Sequence, residues 1–443
     1  MLNKGKIILP VAVALVGLAA CGDDDTNPGT TPTPPTTQSN TIVDLAAADG
    51  RFTTLVGALQ ATGLDAALAE EGPFTVFAPT DDAFNLLPDG LVASLDNDTL
   101  SAILTYHVVG AKVMASDVVA LDSAESLSME TIDIGVRGGT VVLDGRVQVT
   151  QTDIMGSNGI IHVIDAVMLP GDFPGTVVDA LIASPRYSTL VGAVVAADLA
   201  GTLSAADGIT VFAPSNDGFA RLPDGLVASL DIPTLTAILS YHVLGSEVDA
   251  AGAIAAAGNA VPTLLADSSI YLQVDGTVVI DGRSQVEYTD IKASNGIIHI
   301  LDSVLVPGDF PGTIVDALAS YPRFDTLVGA VAAQGLAGTL SDTMGAGFTV
   351  FAPTESAFSP VDLSGFSSMQ LTSILPYHVL PEPKDAGMVV GADSHATVEG
   401  SNIAIDTSMG VSINGQADVT FTDINTTNGI IHVIDGVLVP ATL

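Results

Sequence analysis

The sequence has no tryptophan and a single cysteine, and its aromatic residues make up only 5% of its 443 positions. One cysteine cannot form an internal disulfide bond, and it cannot supply a cysteine-based zinc cluster. The scarcity of aromatic rings argues against the wide stacking surfaces that bind sugars or bases. Disulfide-rich, zinc-cluster and aromatic-platform proteins are therefore disfavoured.

Basic residues are also scarce, with 12 Lys and Arg against 50 Asp and Glu, for a formal net charge of -38 at pH 7. A surface of this sign repels polyphosphate, so we expect no nucleic-acid partner. Yet only 14% of the residues are charged and 48% are hydrophobic. The chain is too apolar for a disordered acidic polymer and has ample material for buried cores.

Catalytic motifs are missing as well. The sequence contains no G-x-S-x-G, S-x-x-K, G-x-x-x-x-G-K or H-E-x-x-H pattern. Six of the seven histidines recur at repeated positions next to tyrosine or to aliphatic residues, where a hydrogen-bonded core histidine is the usual outcome: His107, His242, His378, His162, His299 and His432. We therefore predict no enzymatic activity, no cofactor and no resident metal.

The amino terminus resembles a bacterial lipoprotein signal. Lys4 and Lys6 precede an apolar run from residue 7 to 16, and Leu18-Ala19-Ala20-Cys21 closes it with small residues before the cysteine. The run is too short for a permanent membrane span. The resemblance implies that residues 1–20 are a signal peptide and that Cys21 is lipidated. The alternative is an ordinary signal peptide with an incidental cysteine.

Residues 21–40 continue as the lipidated cysteine and a Pro/Thr-rich stretch without apolar periodicity, which predicts an extended tether. Three aspartates directly after Gly22 resemble the surface-export signals of some bacterial lipoproteins. We expect an extracytoplasmic protein that is lipid-anchored to the bacterial cell envelope, with display at the outer surface as one option. The choice between inner and outer membrane stays open.

The rest of the chain contains three copies of one unit. The segments that begin at Thr41, Thr176 and Thr313 are similar, and FTVFAPT, Tyr-His and NGIIHVID or close variants follow in the same order each time. These repeats predict domains at residues 41–170, 171–307 and 308–443. Helical periodicity in the first half of each unit and strand and hairpin patterns in the second half predict an α+β fold.

The two sequence boxes and the central Tyr-His pair resemble the fasciclin domain, and each unit carries all three. The resemblance implies a wedge-shaped β-sandwich with a helical cap in each repeat. It also implies an extracellular or membrane-anchored protein that mediates adhesion and matrix contacts and is not an enzyme. The first box of repeat 3 departs from the pattern, because Glu355-Ser356 replaces Asp81-Asp82.

An Asp-Ile pair ahead of the last strand is the first candidate binding element. Asp153-Ile154, Asp290-Ile291 and Asp423-Ile424 occupy the position of the integrin-recognition motifs in animal matrix members of the family. An exposed carboxylate can complete the coordination of a metal ion on a partner, while isoleucine adds apolar area. In the alternative interpretation, the aspartate bonds turn amides and the isoleucine fills the core.

The Tyr-His pair is the second candidate, because it is reported as an adhesion element in the family. It comprises Tyr106-His107, Tyr241-His242 and Tyr377-His378. Apolar residues precede each pair, so a packed helix end is the alternative. The Asp-Gly-Arg tripeptides at Asp144 and Asp281 resemble adhesion motifs, but a hairpin turn explains them, since repeat 3 has Asn414-Gly415-Gln416 instead.

We therefore predict a lipid-anchored adhesion protein with three fasciclin modules. Its expected partners are cell-surface or matrix proteins or polysaccharide, together with the membrane that holds its anchor. The first alternative is a carrier of an apolar ligand, such as a lipid or the carotenoids that some algal members bind. The second is a purely structural envelope spacer, which needs no binding site.

Overall fold

The computed structural model describes residues 40–441, except 89, 138, 172–174, 362–367 and 409. The predicted signal peptide, Cys21 and nearly all of the predicted tether lie outside the described residues. Apart from residues 86–88, repeat 1 forms one compact unit, and repeats 2 and 3 together form another.

Repeat 1 places its helices mainly in its first half and most of its strands in its second half. The helices are α1 (Ile42–Asp49), α2 (Thr53–Thr62), α3 (Leu64–Leu68), α4 (Asp81–Asn85), α5 (Leu91–Ser94), α6 (Asn97–Tyr106) and α7 (Ala115–Val118). The strands are β1 (Phe74–Pro79), β2 (Val108–Val109), β3 (Ser123–Glu125), β4 (Thr131–Arg137), β5 (Thr140–Leu143), β6 (Val147–Met155) and β7 (Gly159–Ile164).

Repeat 2 has the same order of elements. The helices are α8 (Val177–Ile182), α9 (Ser188–Ala196), α10 (Ala200–Ala205), α11 (Asn216–Ala220), α12 (Leu226–Ser229), α13 (Ile232–Tyr241) and α14 (Ala250–Ala255), with a 3-10 turn at Pro185–Tyr187. The strands are β8 (Ile209–Pro214), β9 (Val243–Leu244), β10 (Ala260–Pro262), β11 (Ser269–Asp275), β12 (Thr277–Ile280), β13 (Ser284–Ala293) and β14 (Gly296–Leu301).

Repeat 3 follows the same plan. The helices are α15 (Ile314–Ala319), α16 (Asp325–Ala333), α17 (Ala337–Leu340), α18 (Glu355–Phe358), α19 (Ser368–Tyr377) and α20 (Ala386–Val390), with a 3-10 turn at Pro322–Phe324. The strands are β15 (Phe348–Pro353), β16 (Val379–Leu380), β17 (Ser394–Ala396), β18 (Asn402–Asp406), β19 (Ser412–Ile413), β20 (Ala417–Thr426) and β21 (Gly429–Ile434).

Each repeat joins its strands into a seven-stranded sheet, which in repeat 1 runs β2-β1-β7-β6-β5-β4-β3. The first strand pairs with the last one in parallel, from Phe74 opposite Gly159 to Pro79 opposite Ile164, whereas the other neighbours are antiparallel. The predicted α+β architecture with three tandem units is confirmed.

The sheet separates two apolar cores because successive side chains of a strand point to opposite faces. In β1, Val76 and Ala78 pack with residues of α1, α2 and α6, whereas Phe77 packs with residues of β4, β5 and β6. After the half-buried Phe74 the strand is buried on both faces, as its mostly apolar sequence predicts.

Polar side chains fix where the helices begin. Thr41 forms a capping box with Asp44, and repeats 2 and 3 have the same box. The carboxylate of Asp81 accepts hydrogen bonds from the amides of Thr53 and Thr54 at 3.2 and 2.7 Å and so caps α2 from a distance. These contacts, led by the hydroxyl of Thr53, lower the pKa of Asp81 to about 2.

The departure in the first box of repeat 3 preserves this cap. Glu355 accepts a hydrogen bond from the amide of Thr326 at 2.6 Å and another from its hydroxyl at 2.7 Å. The longer glutamate side chain therefore caps α16 in the same way as Asp81 caps α2.

Repeats 2 and 3 share an extensive joint. Leu222, Val304 and Val306 of repeat 2 belong to the same buried apolar cluster as Phe310 and Phe324. The Arg221 guanidinium forms two hydrogen bonds with the Asp325 carboxylate, at 2.9 and 3.1 Å.

Two buried arginines add polar contacts to the joint. Arg323 donates to the carboxylate of Asp275 at 2.9 Å, and the hydroxyl of Ser356 donates to the same oxygen at 2.8 Å. The guanidinium of Arg283 lies 5.6 Å from the ring centroid of Tyr321. Apolar burial and several directional contacts thus join these two repeats.

Candidate functional site

The three Asp-Ile pairs lie at a β-bulge of the strand that precedes the last one. In β6 the pairing with β7 shifts register between Gln151 and Ile154, and β13 and β20 shift in the same place. Asp153, Asp290 and Asp423 adopt left-handed backbone conformations with φ of 59°, 61° and 61°. Aspartate tolerates this conformation better than most residues, and the bulge re-aims its side chain.

Two hydrogen bonds hold each of these aspartates. In repeat 1, the amide of Asp153 donates to Nδ1 of His162 at 3.3 Å, and its Oδ1 accepts a bond from the amide of Ala115 at 3.0 Å. The corresponding distances are 3.2 and 2.9 Å for Asp290, and 3.3 and 2.8 Å for Asp423. The side chain therefore caps the short helix that begins at Ala115, Ala250 or Ala386.

The histidine of the last strand acts as a positioning residue for this aspartate. Because a backbone amide can only donate, Nδ1 of His162 accepts and the ring is neutral with its proton on Nε2. Nε2 then donates to the carbonyl oxygen of Val113 at 2.9 Å. His299 and His432 repeat both contacts, and burial lowers the pKa of each.

The isoleucines of the three pairs turn inward. Ile291 and Ile424 are buried, and Ile154 is half-buried against the core of repeat 1. By contrast, Asp290 and Asp423 are exposed and Asp153 is partly exposed. The group exposed to solvent at this place is therefore the aspartate, and the isoleucine anchors it.

The Tyr-His pairs lie inside the repeats. His107 Nδ1 donates to the carbonyl oxygen of Ile103 at 2.8 Å, and its Nε2 accepts a bond from the amide of Met168 at 3.0 Å. His242 and His378 make the same two contacts with Ile238 and Leu305 and with Ile374 and Leu438. Burial lowers the pKa of all three to about 4, so the rings are neutral.

The tyrosine of each pair is also buried. Tyr106 donates a hydrogen bond to the carboxylate of Asp144. Burial removes water from this carboxylate and so raises its pKa to about 6. In the folded repeats the rings of Tyr106, Tyr241 and Tyr377 and the neighbouring histidines are out of a partner's reach. Their observed role is to tie the end of a helix to the sheet.

Two polar residues, Asp144 and Asn158, make long-range hydrogen bonds that the sequence did not indicate. Asp144 sits in the predicted hairpin turn, with φ of 49°, but its carboxylate is also the partner of Tyr106. Asn158 accepts a bond from the amide of Ile42 and donates to the carbonyl oxygens of Leu68 and Glu70. The sequence signal that could have indicated these contacts is the recurrence of Asp or Asn at both positions in all three repeats.

In the part of the chain that the structure describes, no three His, Cys, Asp or Glu side chains lie together in an arrangement that could hold a metal ion. None of the helices in that part combines the length and the apolar character needed to cross a bilayer.

Comparison with known proteins identifies relatives along the whole described chain. A family model of the fasciclin domain matches residues 50–170, 185–307 and 322–440. The chain is 28% identical over 419 residues to the transforming growth factor-beta-induced protein ig-h3 of Sus scrofa, which covers 91% of this chain and 58% of that protein. It is 28% identical over 389 residues to human periostin, with 85% and 44% covered.

A shorter match is closer in sequence. Protein sll1483 of Synechocystis is 48% identical over 139 residues, which covers 30% of this chain and 76% of that protein. The chain spans about half the length of the two animal relatives, 58% and 44%.

Proposed function

Because the chain belongs to the fasciclin domain family, we propose that it is a lipid-anchored extracytoplasmic adhesion protein of a bacterial envelope. Its three modules contact cell-surface or matrix proteins or polysaccharide, in a cell layer or a biofilm. The anchor is the predicted lipidated Cys21, and the predicted tether holds the modules away from the membrane.

The observation that carries this proposal is the threefold presentation of one carboxylate. Asp153, Asp290 and Asp423 share a left-handed backbone, the same two hydrogen bonds and a position at the surface. Only Oδ1 is used in the capping bond, and the described part of the chain offers no other hydrogen bond to these carboxylates. The second oxygen is available to a cation or a donor group on a partner.

Repetition strengthens a weak contact of this kind. When several modules on one chain engage at once, later contacts form at a high effective concentration, and avidity exceeds the affinity of one site. A series of full-length variants with one, two or three altered aspartates should therefore lose adhesion more steeply than in proportion to the number of altered sites.

The test uses beads that display the chain from Gly22 onward, with adhesion measured to cells of the producing strain and to their extracellular polymer. The variant D153N/D290N/D423N removes the charges but keeps an oxygen for the capping bond, and asparagine tolerates the left-handed backbone. The matched control D98N/D207N/D393N removes three charges from other exposed aspartates, one in each repeat.

We expect the first variant to lose most of the adhesion and the control to keep it. Equal adhesion of both variants would remove these aspartates from the binding surface. If the folded wild-type protein does not adhere at all, the structural spacer and the carrier of an apolar ligand become the better assignments.

A further inference from the structure

Repeat 2 contains an apolar cavity of about 50 Å³ between its helical layer and its sheet. Its walls come from α8, α9, α10 and α13 and from the strands β8 and β9. The principal lining side chains are Val178, Leu181, Leu190, Val194, Leu203 and Phe212. A second cavity of about 20 Å³ shares Leu190, Leu239 and His242 with the first and continues toward α11 and α12.

The lining offers no hydrogen-bonding group to an occupant. His242 is the one side chain with polar atoms that borders both cavities, and its two nitrogens are taken by Ile238 and Leu305. A buried water needs two to four polar partners, so water gains little in this space. The complementary occupant is hydrocarbon.

The mouth of the larger cavity distinguishes repeat 2 from its neighbours. Ile182 and Val195 border the cavity, yet 41% and 62% of their surfaces are exposed to solvent. Alignment of the three helical segments places Ala47 and Gln60 at these positions in repeat 1, and Ala319 and Ala332 in repeat 3. The described structure of repeat 3 has a cavity of about 50 Å³ too, but Thr339 enters its lining and neither alanine does.

We propose that repeat 2 binds the end of a single uncharged aliphatic chain, which enters between Ile182 and Val195. The size supports a narrow chain, because the volume is about a third of that of an engineered apolar cavity of ~150 Å³ that binds one benzene ring. Ring-ended molecules such as carotenoids are therefore too wide. The charge of the protein, -38, disfavours an anionic head group at the mouth.

This binding is separate from the adhesion proposed above, since none of the cavity residues belongs to the bulges that present the aspartates. The exposed rim gives the occupant apolar contact beyond the enclosed volume. Ile182 and Val195 each keep part of their side chain in solvent while lining the cavity, so together they form an apolar rim that an occupant can cover.

The direct test is titration of the folded full chain with 1-hexanol, 1-octanol and 1-decanol, below their aggregation limits, by calorimetry and by methyl NMR. We expect saturable binding with one site per chain and shifts of the Val178, Leu190 and Val194 methyl signals. Each added methylene should tighten binding about fourfold only where it is buried in the cavity or against its apolar rim, which corresponds to ~0.8 kcal/mol per buried methylene, and longer chains should bring no further gain.

Sibling repeats supply variants that preserve folding. I182A/V195Q gives repeat 2 the rim of repeat 1, and we expect it to weaken 1-octanol binding at least tenfold. The matched control I232Q/I254A alters two aliphatic residues of repeat 2 whose exposure lies between those of Ile182 and Val195 and which do not line the cavity. It should bind as the wild type does. The converse variant A319I/A332V should create a second site in repeat 3.

Two results would overturn the proposal: no saturable binding of any of the three alcohols, or equal binding by wild type and I182A/V195Q. A parallel arm with phosphatidylcholine vesicles distinguishes the sources of the chain. Sedimentation with vesicles that depends on Ile182 and Val195 identifies a membrane lipid, whereas binding of the free alcohol alone identifies a soluble amphiphile.

Discussion

Tyr106 donates a hydrogen bond from its hydroxyl group to the buried carboxylate of Asp144, with the two oxygens 3.0 Å apart. Repeat 2 has the same pair, Tyr241 and Asp281, at 2.8 Å. In repeat 3 an amide replaces the carboxylate, and Nδ2 of Asn414 donates to the hydroxyl oxygen of Tyr377 at 2.9 Å. The third repeat therefore keeps the contact without a buried charge.

This comparison predicts that D144N stabilises repeat 1 at neutral pH. Burial raises the pKa of Asp144 to about 6, so the wild-type carboxyl is ionised at pH 7.5 in a site that disfavours the charge. We expect the free energy of unfolding to rise by about 1–3 kcal/mol, since one pKa unit corresponds to ~1.4 kcal/mol.

The stabilisation by D144N should depend on pH. A raised carboxyl pKa contributes stability that is present below about pH 3.8 and lost as the pH rises through 6. The advantage of D144N should therefore be largest above pH 6 and shrink toward pH 4. Urea unfolding with hydrogen exchange in β4 and β5 measures it, with D98N as the exposed control. Destabilisation by D144N at pH 7.5 would contradict the explanation.

The buried histidines predict acid sensitivity with the opposite sign. Burial lowers the pKa of His107, His242 and His378 from 6.5 to about 4. A lowered histidine pKa gives stability that is present above pH 6.5 and lost as the pH falls toward 4, by up to ~3 kcal/mol per ring. Asp144 and Asp302, each with its pKa raised to about 6, offset part of this loss between pH 6 and 4.

An NMR titration of the histidine Cε1 protons checks the underlying ionisation. In the folded protein these three rings should stay neutral down to about pH 5, while a urea-unfolded sample titrates near 6.5. Titration of all three rings near pH 6.5 in the folded protein would show that burial does not control them.

Two substitutions of the bulge residue Asp290 should change the free energy of unfolding by different amounts. D290N keeps the oxygen that accepts the Ala250 amide and tolerates φ of 61°, so we expect a change within ~0.5 kcal/mol. D290A loses the helix cap and places a Cβ without a stabilising side-chain bond in the left-handed region, so we expect a loss of about 1–3 kcal/mol. Urea unfolding of both variants measures the difference, and equal losses would mean that the cap contributes nothing.

The joint between repeats 2 and 3 predicts a contrast between two glycines in equivalent hairpins. Gly282 and Gly415 have φ of 63° and 62°, so alanine strains both backbones, at about 1 kcal/mol each. A Cβ at Gly282 would lie 2.5 Å from Cβ of Phe421 in repeat 3, whereas a Cβ at Gly415 meets nothing within 4 Å. Only G282A should open the joint.

Backbone NMR relaxation distinguishes the two outcomes. In the wild type and G415A, repeats 2 and 3 should tumble as one body, and in G282A they should tumble faster and separately. Joint tumbling in G282A would mean that Phe421 yields without breaking the contact.

The sequence predicted the local elements well because their causes are local. A Thr or Ser follows the Ala-Pro pair of each first box, which is a typical helix cap, and Thr80, Ser215 and Thr354 each accept a hydrogen bond from the amide three residues later. The hairpins at Asp144-Gly145 and Asn414-Gly415 are also confirmed, since the flanking strands pair across both turns.

The long-range contacts could not be predicted from periodicity. The apolar run at Phe74 predicts a strand, but nothing local indicates that its partner is the last strand of the repeat. For the same reason, the bond between Asp153 and His162 and the bond between Tyr106 and Asp144 appear only in the fold. The sequence correctly places Asp144 in a turn. Its second role, as the hydrogen-bond partner of Tyr106, has no local signal because the two residues are far apart in the sequence.

The parallel pairing of the first and last strands also affects when each repeat can fold during synthesis. Phe74 pairs with Gly159, Ile209 with Gly296 and Phe348 with Gly429, so each pair closes a loop of more than 80 residues. Contacts this distant along the chain form slowly, because the entropy of loop closure must be overcome first. A nascent repeat that emerges from its amino terminus therefore stays open until its final strand has been made, and a chaperone has its longest opportunity to bind there.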